Sequence, residues 1–414
     1  KGKGKKEALD QLSENIIMEK CVKTIMEKVP EFYIYENGHY VRGENKIDKL
    51  IMNILEEETT NHILTEIKTK IRIKSNINRG EFDCNKNKIC LLNGILDIKT
   101  KQFEKHNSDN LFLNLIPVKY DPVKECPKIN KFLHEILNED DIKIIQEWFG
   151  FCLYRKYFIK KAMIFVGEKN TGKTTLLNIL YKFLGNDNVS GVSLQKLATD
   201  KFSIGQLYGK FANIYDDLSF SSIAEHGNFK MATGGGNITG EYKFGNLFNF
   251  INYAKLLYAC NRIPTIKDSS DYAYFDRWII IRFNNIIQNI NPYLAEEIVT
   301  EDELSGLLNW ALAGLDNLLR EYKFSYDKEC DRVKAEMMSS GNSIASFAYN
   351  CLIEILNNKI NKDDLYNRYC EYCREQNLNI ETKSLVGHQL QASAPYIREG
   401  KINTQNAWIN VAFK

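Results

Sequence analysis

Glycine, lysine and threonine recur between positions 167 and 175 with a spacing that can hold a phosphate group. The segment reads GEKNTGKTT, with Gly167 and Gly172 ahead of Lys173 and Thr174. In the pattern G-x-x-x-x-G-K-[ST], backbone amides point at phosphate oxygens, the lysine reaches the outer phosphates, and the threonine hydroxyl binds Mg²⁺. A strand-like run, KAMIFVG, leads into the segment, and a helical pattern, LLNILYKFLG, follows it. The residues expected to bind a nucleotide are Gly167, Asn170, Thr171, Gly172, Lys173, Thr174 and Thr175.

Two carboxylates follow the next strand-like run. Asp216 and Asp217 come at the end of the segment KFANIYDD. Hydrolysis of a nucleoside triphosphate requires one carboxylate that holds Mg²⁺ through water and another that positions the attacking water. The alternative is a solvated acidic turn after a strand. Because a phosphate loop precedes this strand in the same pattern, the catalytic interpretation is favoured.

Polar residues also end the third and fourth strand-like runs. Asn261 closes NYAKLLYACN, where its amide can orient the hydrolytic water or contact the γ-phosphate. The alternative is an asparagine that opens the turn before Pro264. Arg277 and Arg282 lie in YFDRWIIIRF. An arginine there can stabilise charge on the phosphoryl group in a neighbouring subunit's site, or it can form an ordinary salt bridge with an acid such as Asp276.

A hairpin is predicted between the second and third of these runs. The segments ITGEYKF and LFNFINY flank a Gly245-Asn246 turn, which puts Lys243 and Phe244 at or near the tip. A basic and aromatic tip can contact a DNA phosphate and pack on a sugar or base. A lysine beside a hairpin turn is also often merely solvated.

The elements that must position these residues alternate between strand and helix from Lys161 onward, which is typical of a parallel sheet. Upstream, EALDQLSENIIMEKCVKTIMEKV has helical spacing, and EFYIYENGHYV reads as two strands around a turn. A second hairpin is expected at Asn93-Gly94. Downstream, SIASFAYNCLIEIL, KDDLYNRYCEYCREQ and TKSLVGHQLQAS predict three helices, followed by a terminal hairpin. That order is expected of a winged helix.

Composition limits the class of protein more than it identifies a partner. The 414 residues carry a net charge of +2, so composition alone gives no argument for nucleic-acid binding. No apolar run approaches the roughly 18 residues of a membrane helix, and no secretory signal is recognised, so we expect no membrane partner. The ten scattered cysteines predict reduced thiols in the cytoplasm, which would be the host cytoplasm for a viral protein. The absence of an initiator methionine suggests a processed chain or a fragment.

The order of these pieces resembles the superfamily 3 helicases, which are small AAA+ motors of viruses and plasmids. The similarity is to the primase-helicase branch of poxviruses, phages and plasmids. It rests on the phosphate loop, the Asp-Asp strand, the KMATGGG segment with its hairpin, the Asn-terminated strand and DRWIIIRF. The upstream LLNGILDIKTKQFEKHN and WFGFCLYRK segments are similar to the domain that precedes the motor in that branch. The primase active site of that family lies further N-terminal, and priming is not predicted for this chain.

The resemblance implies roles for the polar residues of the phosphate loop and the strand ends. Lys173 and Thr174 would contact phosphate and Mg²⁺, and Asp216 would hold the same metal. Asp217 would be the catalytic carboxylate, and Asn261 matches the sensor asparagine. The implied nucleotide is ATP.

The resemblance also implies contacts beyond one subunit's nucleotide site. Arg277 would be the arginine finger that acts on the adjacent subunit, and Lys243 falls where the family's pore hairpin carries its DNA-contacting lysine. Many relatives have two adjacent arginines where this chain has Asp276-Arg277. Arg282 and Arg262 are therefore the alternative fingers.

The sequence thus predicts an α/β protein built around an AAA+ P-loop motor. The expected domains are a mixed α+β N-terminal domain at residues 1–145, the motor at 146–290, a helical connector at 291–340 and a winged-helix-like domain at 341–414. The expected function is an ATP-dependent DNA helicase that forms a ring, most simply a hexamer, and moves on single-stranded or forked DNA, with a primase or another replication protein as a further partner. The alternative is an ATP-dependent DNA-binding switch or loader that does not unwind.

Overall fold

The structure is a computed structural model. It describes residues 2–27, 29–219, 226–242, 245, 247–264, 271–288, 291–340, 343–375, 378 and 380–414.

The N-terminal unit, residues 2–82, is a four-stranded sheet covered by helices. Its elements are α1 (Gly2–Lys20), β1 (Lys23–Ile25), β2 (Glu31–Glu36), β3 (His39–Arg42), α2 (Glu44–Leu55), α3 (Asn61–Lys74) and β4 (Asn76–Ile77). The strand order is β3-β2-β1-β4. Successive side chains of β2 point to opposite faces, so Phe32 and Ile34 join the helix-covered core while Tyr33 packs against Phe82 on the other face.

The first helix is shorter than the sequence pattern predicts. Helical spacing extends to Val29, but α1 ends at Lys20 and the chain continues as β1. β1 pairs with β2 on one side and with β4 on the other, and it buries Thr24 and Ile25 between them. Tertiary pairing of a β-branched segment therefore overrides its local helical periodicity.

A connecting region leads from the N-terminal unit to the central sheet. Its elements are β5 (Lys88–Leu91), β6 (Gly94–Asp97), β7 (Phe103–Glu104), α4 (Pro127–Ile136) and α5 (Glu139–Leu153). The predicted hairpin is confirmed, because β5 and β6 are antiparallel and Leu91 pairs with Gly94 across a turn that contains Asn93.

The central part of the chain forms a five-stranded parallel sheet with helices around it. Its elements are β8 (Ala162–Val166), α6 (Lys173–Leu184), β9 (Val189–Ser190), α7 (Leu194–Thr199), α8 (Lys201–Gly205), β10 (Ala212–Tyr215), α9 (Gly227–Ala232), β11 (Asn237–Glu241), β12 (Leu247–Ile251), β13 (Lys255–Cys260), α10 (Tyr272–Phe275) and β14 (Trp278–Arg282). The strand order is β14-β8-β13-β10-β9, and every pairing is parallel. The predicted parallel sheet is confirmed.

Both faces of this sheet are buried. Along β8, Met163 and Phe165 face one core, whereas Ala162, Ile164 and Val166 face the other. A strand that is covered on both sides reads as a continuous apolar run, which is why AMIFV shows no alternation of polar and apolar residues. The strands β11 and β12 leave this sheet as a separate antiparallel hairpin, which confirms the hairpin predicted there.

One of the two cores continues beyond the central sheet in both directions. It runs from Ile89 in β5 to Phe324, and it includes α5, which packs on the long helix α12 (Glu301–Glu321). The boundary predicted at residue 145 falls inside α5. The connecting region and the central sheet therefore share one hydrophobic core.

The C-terminal part packs around a three-stranded sheet. Besides α11 (Leu294–Ile298) and α12, its elements are α13 (Cys330–Ser340), α14 (Ser343–Cys351), β15 (Leu352–Asn361), α15 (Lys362–Glu375), α16 (Lys383–Ser393), β16 (Arg398–Ile402) and β17 (Gln405–Phe413). The strand order is β15-β17-β16. Of the helices in the described ranges, none combines the length and the apolar character needed to cross a bilayer.

The helix predicted for SIASFAYNCLIEIL is only partly correct. It ends at Cys351, and the residues LIEIL begin β15 instead. Leu352 pairs with Phe413 and Ile353 with Ala412, near the far end of the chain. A partner about sixty residues away thus decides the conformation of this segment, and local periodicity could not predict it.

A buried lysine lies where β13 begins. Lys255 is fully buried, and its Nζ donates hydrogen bonds to the backbone carbonyls of Tyr154 and Tyr253 while it lies 4.6 Å from the ring centre of Phe151. Burial, reinforced by the charge of Arg155, lowers the pKa of Lys255 from 10.5 to about 7.

This burial predicts a pH dependence of stability. Between pH 7 and 10.5 the unfolded chain holds a proton on Lys255 that the folded chain does not, so the contribution of Lys255 to stability should rise with pH in this window. The contribution is at most about 1.4 kcal/mol per pH unit. We expect Lys255→Met to remove this slope in urea unfolding at several pH values, whereas the partly exposed Lys182→Met should keep it. An unchanged slope in Lys255→Met would contradict the prediction.

Candidate functional site

The parallel sheet brings the predicted polar residues to one edge. β8 ends beside β13 with Val166 opposite Cys260, and β13 runs beside β10 with Tyr258 opposite Tyr215. The loop after Val166, the aspartates after Tyr215 and the asparagine after Cys260 therefore emerge at the same carboxyl edge. Ligands of open parallel sheets bind at this edge.

A cavity of about 480 Å³ opens at this edge. It brings together the residues of the glycine loop, both aspartates, the asparagine and a group from the chain that follows β14. The lining residues are Lys169, Asn170, Thr171, Gly172, Lys173, Thr174, Thr175, Asn178, Asp216, Asp217, Cys260, Asn261, Ile287, Asn291, Pro292 and Leu294.

Backbone conformation at the loop depends on glycine and asparagine. Gly172 has φ +90°, and a Cβ at this position would lie 2.7 Å from Cγ2 of Ile136. Asn170 also has a positive φ, of 62°. Gly167 lies against the backbone of Phe283, where a Cβ would be 2.5 Å from the carbonyl oxygen. The loop thus needs both glycines of its pattern, one for its conformation and the other for a close approach.

Lys173 lies inside the loop. Its Nζ donates hydrogen bonds to the carbonyl oxygens of Gly167 at 2.6 Å and Glu168 at 2.7 Å. Burial lowers the pKa of Lys173 below its usual value, although the negative charge of Asp216 acts in the opposite direction. The ammonium group lies at the amino end of α6, where the helix dipole also favours an anion.

A hydroxyl and a carboxylate are paired beside the lysine. Thr174 Oγ1 donates to Asp216 Oδ2 at 3.0 Å. In an octahedral Mg²⁺ site, neighbouring oxygen ligands at about 2.1 Å from the metal are about 3 Å apart. The spacing and the oxygen chemistry of this pair therefore fit two adjacent ligand positions of Mg²⁺.

The second aspartate has an unusual backbone conformation. Asp217 has φ +59°, and its amide donates to Asp216 Oδ1 at 2.9 Å. Asparagine and aspartate tolerate this left-handed region better than most residues. The turn exposes the Asp217 carboxylate to the cavity, next to the Thr174–Asp216 pair.

Asn261 lies between this cavity and a second one. The second cavity, of about 690 Å³, separates the sheet edge from α13, α14 and α15 and is also lined by Arg262 and Arg282. Arg282 ends β14 opposite Val166, and its Nε donates to Glu336 at 2.6 Å. Arg262 and Arg282, the alternatives to Arg277 as arginine finger, thus both lie near the carboxyl edge of the sheet.

Arg277 lies at the opposite end of the sheet. It precedes β14, and its carbonyl accepts a hydrogen bond from the amide of Ala162 at the start of β8. Its Nε donates to Thr233 Oγ1 at 3.0 Å, and its guanidinium also bonds the carbonyl of Ala273. A five-residue strand spans about 16 Å. Arg277 consequently does not line the cavity at the carboxyl edge.

The two residues predicted to contact DNA, Lys243 and Phe244, lie outside the described residues. The strands that carry them are described, and Phe248 and Phe250 of β12 face the protein interior. The hairpin therefore has one buried face and one exposed face on either side of its pairing.

Sequence reasoning missed one wall of the cavity. Ile287, Pro292 and Leu294 line it beyond the end of β14, and the amide of Ile287 donates to the carbonyl of Asn170 at 2.9 Å. No local pattern marks these residues, because the fold of the sheet rather than their spacing returns this segment to the loop.

Comparison with known proteins adds two family matches and a shared fold. Residues 3–138 match the family described as "D5 N terminal like", and residues 165–277 match a "Family of unknown function (DUF5906)". The first match supports the primase-helicase likeness of the N-terminal part. The second covers the glycine loop, both aspartates and the asparagine. No curated protein matches the chain.

Solved structures of the NrS-1 C-terminal region share the fold. The A form apo structure has a TM-score of 0.53 at 14% identity, over 97% of this chain and 99% of that one. Another apo structure of the region has the same TM-score at 15% identity, over 98% and 99% of the two chains. The shared fold thus extends over nearly the whole chain.

Gly172→Ala tests the requirement for glycine in the loop. We expect it to lower the free energy of unfolding by about 1–3 kcal/mol, because alanine would adopt a strained φ and contact Ile136. Gly387→Ala is the matched control, since a Cβ there meets nothing within 4 Å in the middle of α16. The control should be neutral or stabilising by up to about 1 kcal/mol. Equal effects of the two substitutions in denaturant unfolding would refute the requirement.

Proposed function

We propose that this chain is an ATP-dependent DNA helicase motor of a viral, phage or plasmid replication protein. The observation that carries the proposal is the meeting of Lys173, Thr174, Asp216, Asp217 and Asn261 in one cavity at the carboxyl edge of the sheet. The strand order β14-β8-β13-β10-β9 supports an AAA+ architecture of the superfamily 3 type, because the glycine loop follows β8, which has the Asn and Asp-Asp strands β13 and β10 on one side and β14 on the other.

The cavity offers separate places for the parts of ATP. The loop amides, Lys173 and the amino end of α6 would bind the phosphates. The apolar wall of Ile287, Pro292 and Leu294 would pack against the base. Mg²⁺ held by Thr174 and Asp216 would neutralise charge on the phosphates during hydrolysis.

The remaining polar groups would act on the attacking water. The Asp217 carboxylate would accept a hydrogen bond from that water and orient it towards the terminal phosphate. Asn261, at the adjacent strand end, would fix the water or the phosphate oxygen from the other side. Both residues are exposed to the cavity and free to contact a small ligand there.

A ring of subunits would complete each site. Arg277 lies at the end of the sheet away from its own cavity, so it would act as the arginine finger in a neighbour's site. Arg282, which Glu336 holds at the carboxyl edge of its own sheet, is less suited to that role. A closed ring, most simply a hexamer, would give every subunit one such neighbour.

The hairpin and the C-terminal part would contact the nucleic acid or its other proteins. Lys243 and Phe244 would follow single-stranded DNA in the centre of the ring. The order helix, strand, helix, helix, strand, strand over residues 343–413 is compatible with a winged helix. It would bind forked DNA, or dock a primase or another replication protein.

ATP turnover and opening of a forked duplex test the proposal together. Wild-type protein should hydrolyse ATP faster with single-stranded DNA and should separate the fork. Lys173→Ala should lower turnover by roughly a hundredfold or more, because the loop loses its cation. Lys182→Ala, on the exposed side of the same helix, should leave turnover unchanged. ATP hydrolysis without stimulation by DNA and without fork opening would instead indicate a switch or loader.

Asp217→Asn tests the catalytic carboxylate separately from nucleotide binding. Asparagine also adopts positive φ, so the turn should persist while the charge is lost. We expect ATP turnover to fall about a hundredfold or more with ATP affinity nearly unchanged. Asp216→Asn should differ by raising the Mg²⁺ concentration needed for turnover. If Asp217→Asn weakens ATP binding as strongly as it slows turnover, the assigned role is wrong.

A further inference from the structure

The N-terminal unit contacts the base of the β11–β12 hairpin through two arginines. Arg79 and Arg42 belong to the N-terminal unit, and both are held by Glu31 of the same unit. The aromatic rings that they cover belong to the hairpin and to the turn after α8. We call Glu31, Arg42 and Arg79 the arginine clamp.

Glu31 is the centre of the clamp. It is buried, and its carboxylate accepts hydrogen bonds from Arg79 at 2.8 and 3.3 Å, from Arg42 at 3.2 Å and from the hydroxyl of Tyr33 at 2.8 Å. Burial by itself would raise the pKa of Glu31, but the hydrogen bonds and charge of Arg79 bring this pKa below its usual value. The carboxylate therefore stays ionised and fixes both guanidinium groups.

Arg79 lies against two adjacent aromatic rings of the central part. Its guanidinium carbon is 4.7 Å from the ring centre of Phe248 in β12 and 5.3 Å from that of Tyr208. The side chain of Arg79 is only 9% exposed, and Glu27 accepts a hydrogen bond from its Nε. Cation–π contacts are strongest when they are desolvated in this way.

Arg42 covers the residue that precedes the predicted DNA-contacting pair. Its guanidinium carbon lies 5.0 Å from the ring centre of Tyr242, and the ring of Tyr242 stacks on Phe248 at 4.7 Å. The amide of Gly245 donates to the carbonyl of Tyr242 at 2.8 Å. The clamp thus acts at the root of the hairpin tip, one residue before Lys243.

Planar guanidinium groups suit this position better than other cations. An arginine can stack on a ring with its face while its edge donates to a carboxylate, whereas a lysine provides a point charge without a face. At Arg79, Glu31 and Glu27 accept hydrogen bonds from the guanidinium while the neighbouring rings of Phe248 and Tyr208 lie against it.

We propose that Arg79 is a positioning residue through which the N-terminal unit sets the hairpin that carries Lys243, so that the affinity for single-stranded DNA depends on the clamp. This inference rests on the proposed function in one respect, namely that the hairpin tip contacts DNA. It adds that the N-terminal unit controls the contact between the hairpin tip and DNA, although the clamp residues themselves do not touch the DNA.

The experiment measures binding of a fluorescent single-stranded oligonucleotide without nucleotide, and ATP turnover without DNA, on the full chain. Arg79→Ala should weaken DNA binding about tenfold, and Lys243→Ala should do the same. Arg79→Lys should recover part of the affinity because it keeps the pairing with Glu31. Basal ATP turnover should stay within about twofold of wild type, since the clamp lies outside the ATP cavity.

Phe248→Leu tests the same contact from the hairpin side. It keeps an apolar side chain in the buried position but removes the ring that Arg79 covers. It should weaken DNA binding as Arg79→Ala does, and the double variant should lose less affinity than the sum of the two single losses, since both remove the Arg79–Phe248 contact. Arg320→Ala, at an exposed arginine of α12 that pairs with Glu321, should bind DNA as wild type does.

Hydrogen exchange of the peptides that contain β11 and β12 separates positioning from general destabilisation. Supporting results are faster exchange confined to the hairpin in Arg79→Ala, together with the loss of DNA affinity. Unchanged DNA affinity, additive losses in the double variant, or faster exchange throughout the chain would overturn the inference. If Arg79→Ala does not fold, Arg79→Lys and Phe248→Leu decide the outcome in its place.

The two proposals fail in different ways. Wild-type protein that binds DNA but does not hydrolyse ATP would refute the motor and leave the clamp to be judged by the affinities of the variants. Wild-type protein that hydrolyses ATP with an affinity for DNA that is independent of Arg79 would refute the clamp alone. Wild-type protein without measurable affinity for single-stranded DNA would overturn the inference.

Discussion

Parallel pairing of β8 with both β13 and β14 is the constraint on which the rest of the structure depends. Because all these strands run in the same direction, everything that follows a strand emerges at one edge and everything that precedes it lies at the other. The glycine loop and Asn261 meet for this reason, and the parallel pairing of β10 with β13 brings the two aspartates to the same edge. The same pairing places Arg277 at the opposite edge, away from this cavity.

The central sheet shares a hydrophobic core with the elements around it. The core that covers one of its faces extends from Ile89 to Phe324, so the connecting region, α5 and α12 form one body with the strands. Buried Lys255 belongs to this body, since the carbonyl of Tyr154 just after α5 accepts its hydrogen bond at the start of β13. The cavity at the carboxyl edge therefore rests on a continuous packed core.

Several parts of the fold follow from local sequence patterns. The segments for which these patterns predict the wrong structure have a common cause. The glycine loop, the Asn93 hairpin, the β11–β12 hairpin and α16 match their sequence signals, because glycines, turn residues and apolar periodicity act within a few residues. Residues 21–27 and 352–356 have helical spacing but are not helical in the structure. β1 lies between two strands, and β15 pairs with the end of the chain, so distant partners determine both segments.

The sequence by itself determined the local patterns from which phosphate and metal binding are predicted, because Lys173, Thr174 and the aspartates belong to short motifs around single strand ends. Only the tertiary structure decided how these residues relate to the rest. It put the apolar wall of Ile287 beside the loop, separated Arg277 from Arg282 by the length of a strand, and placed Arg79 on Phe248. The physical reason is range: sequence patterns encode backbone conformation and burial locally, whereas contacts between distant residues depend on strand order, register and packing.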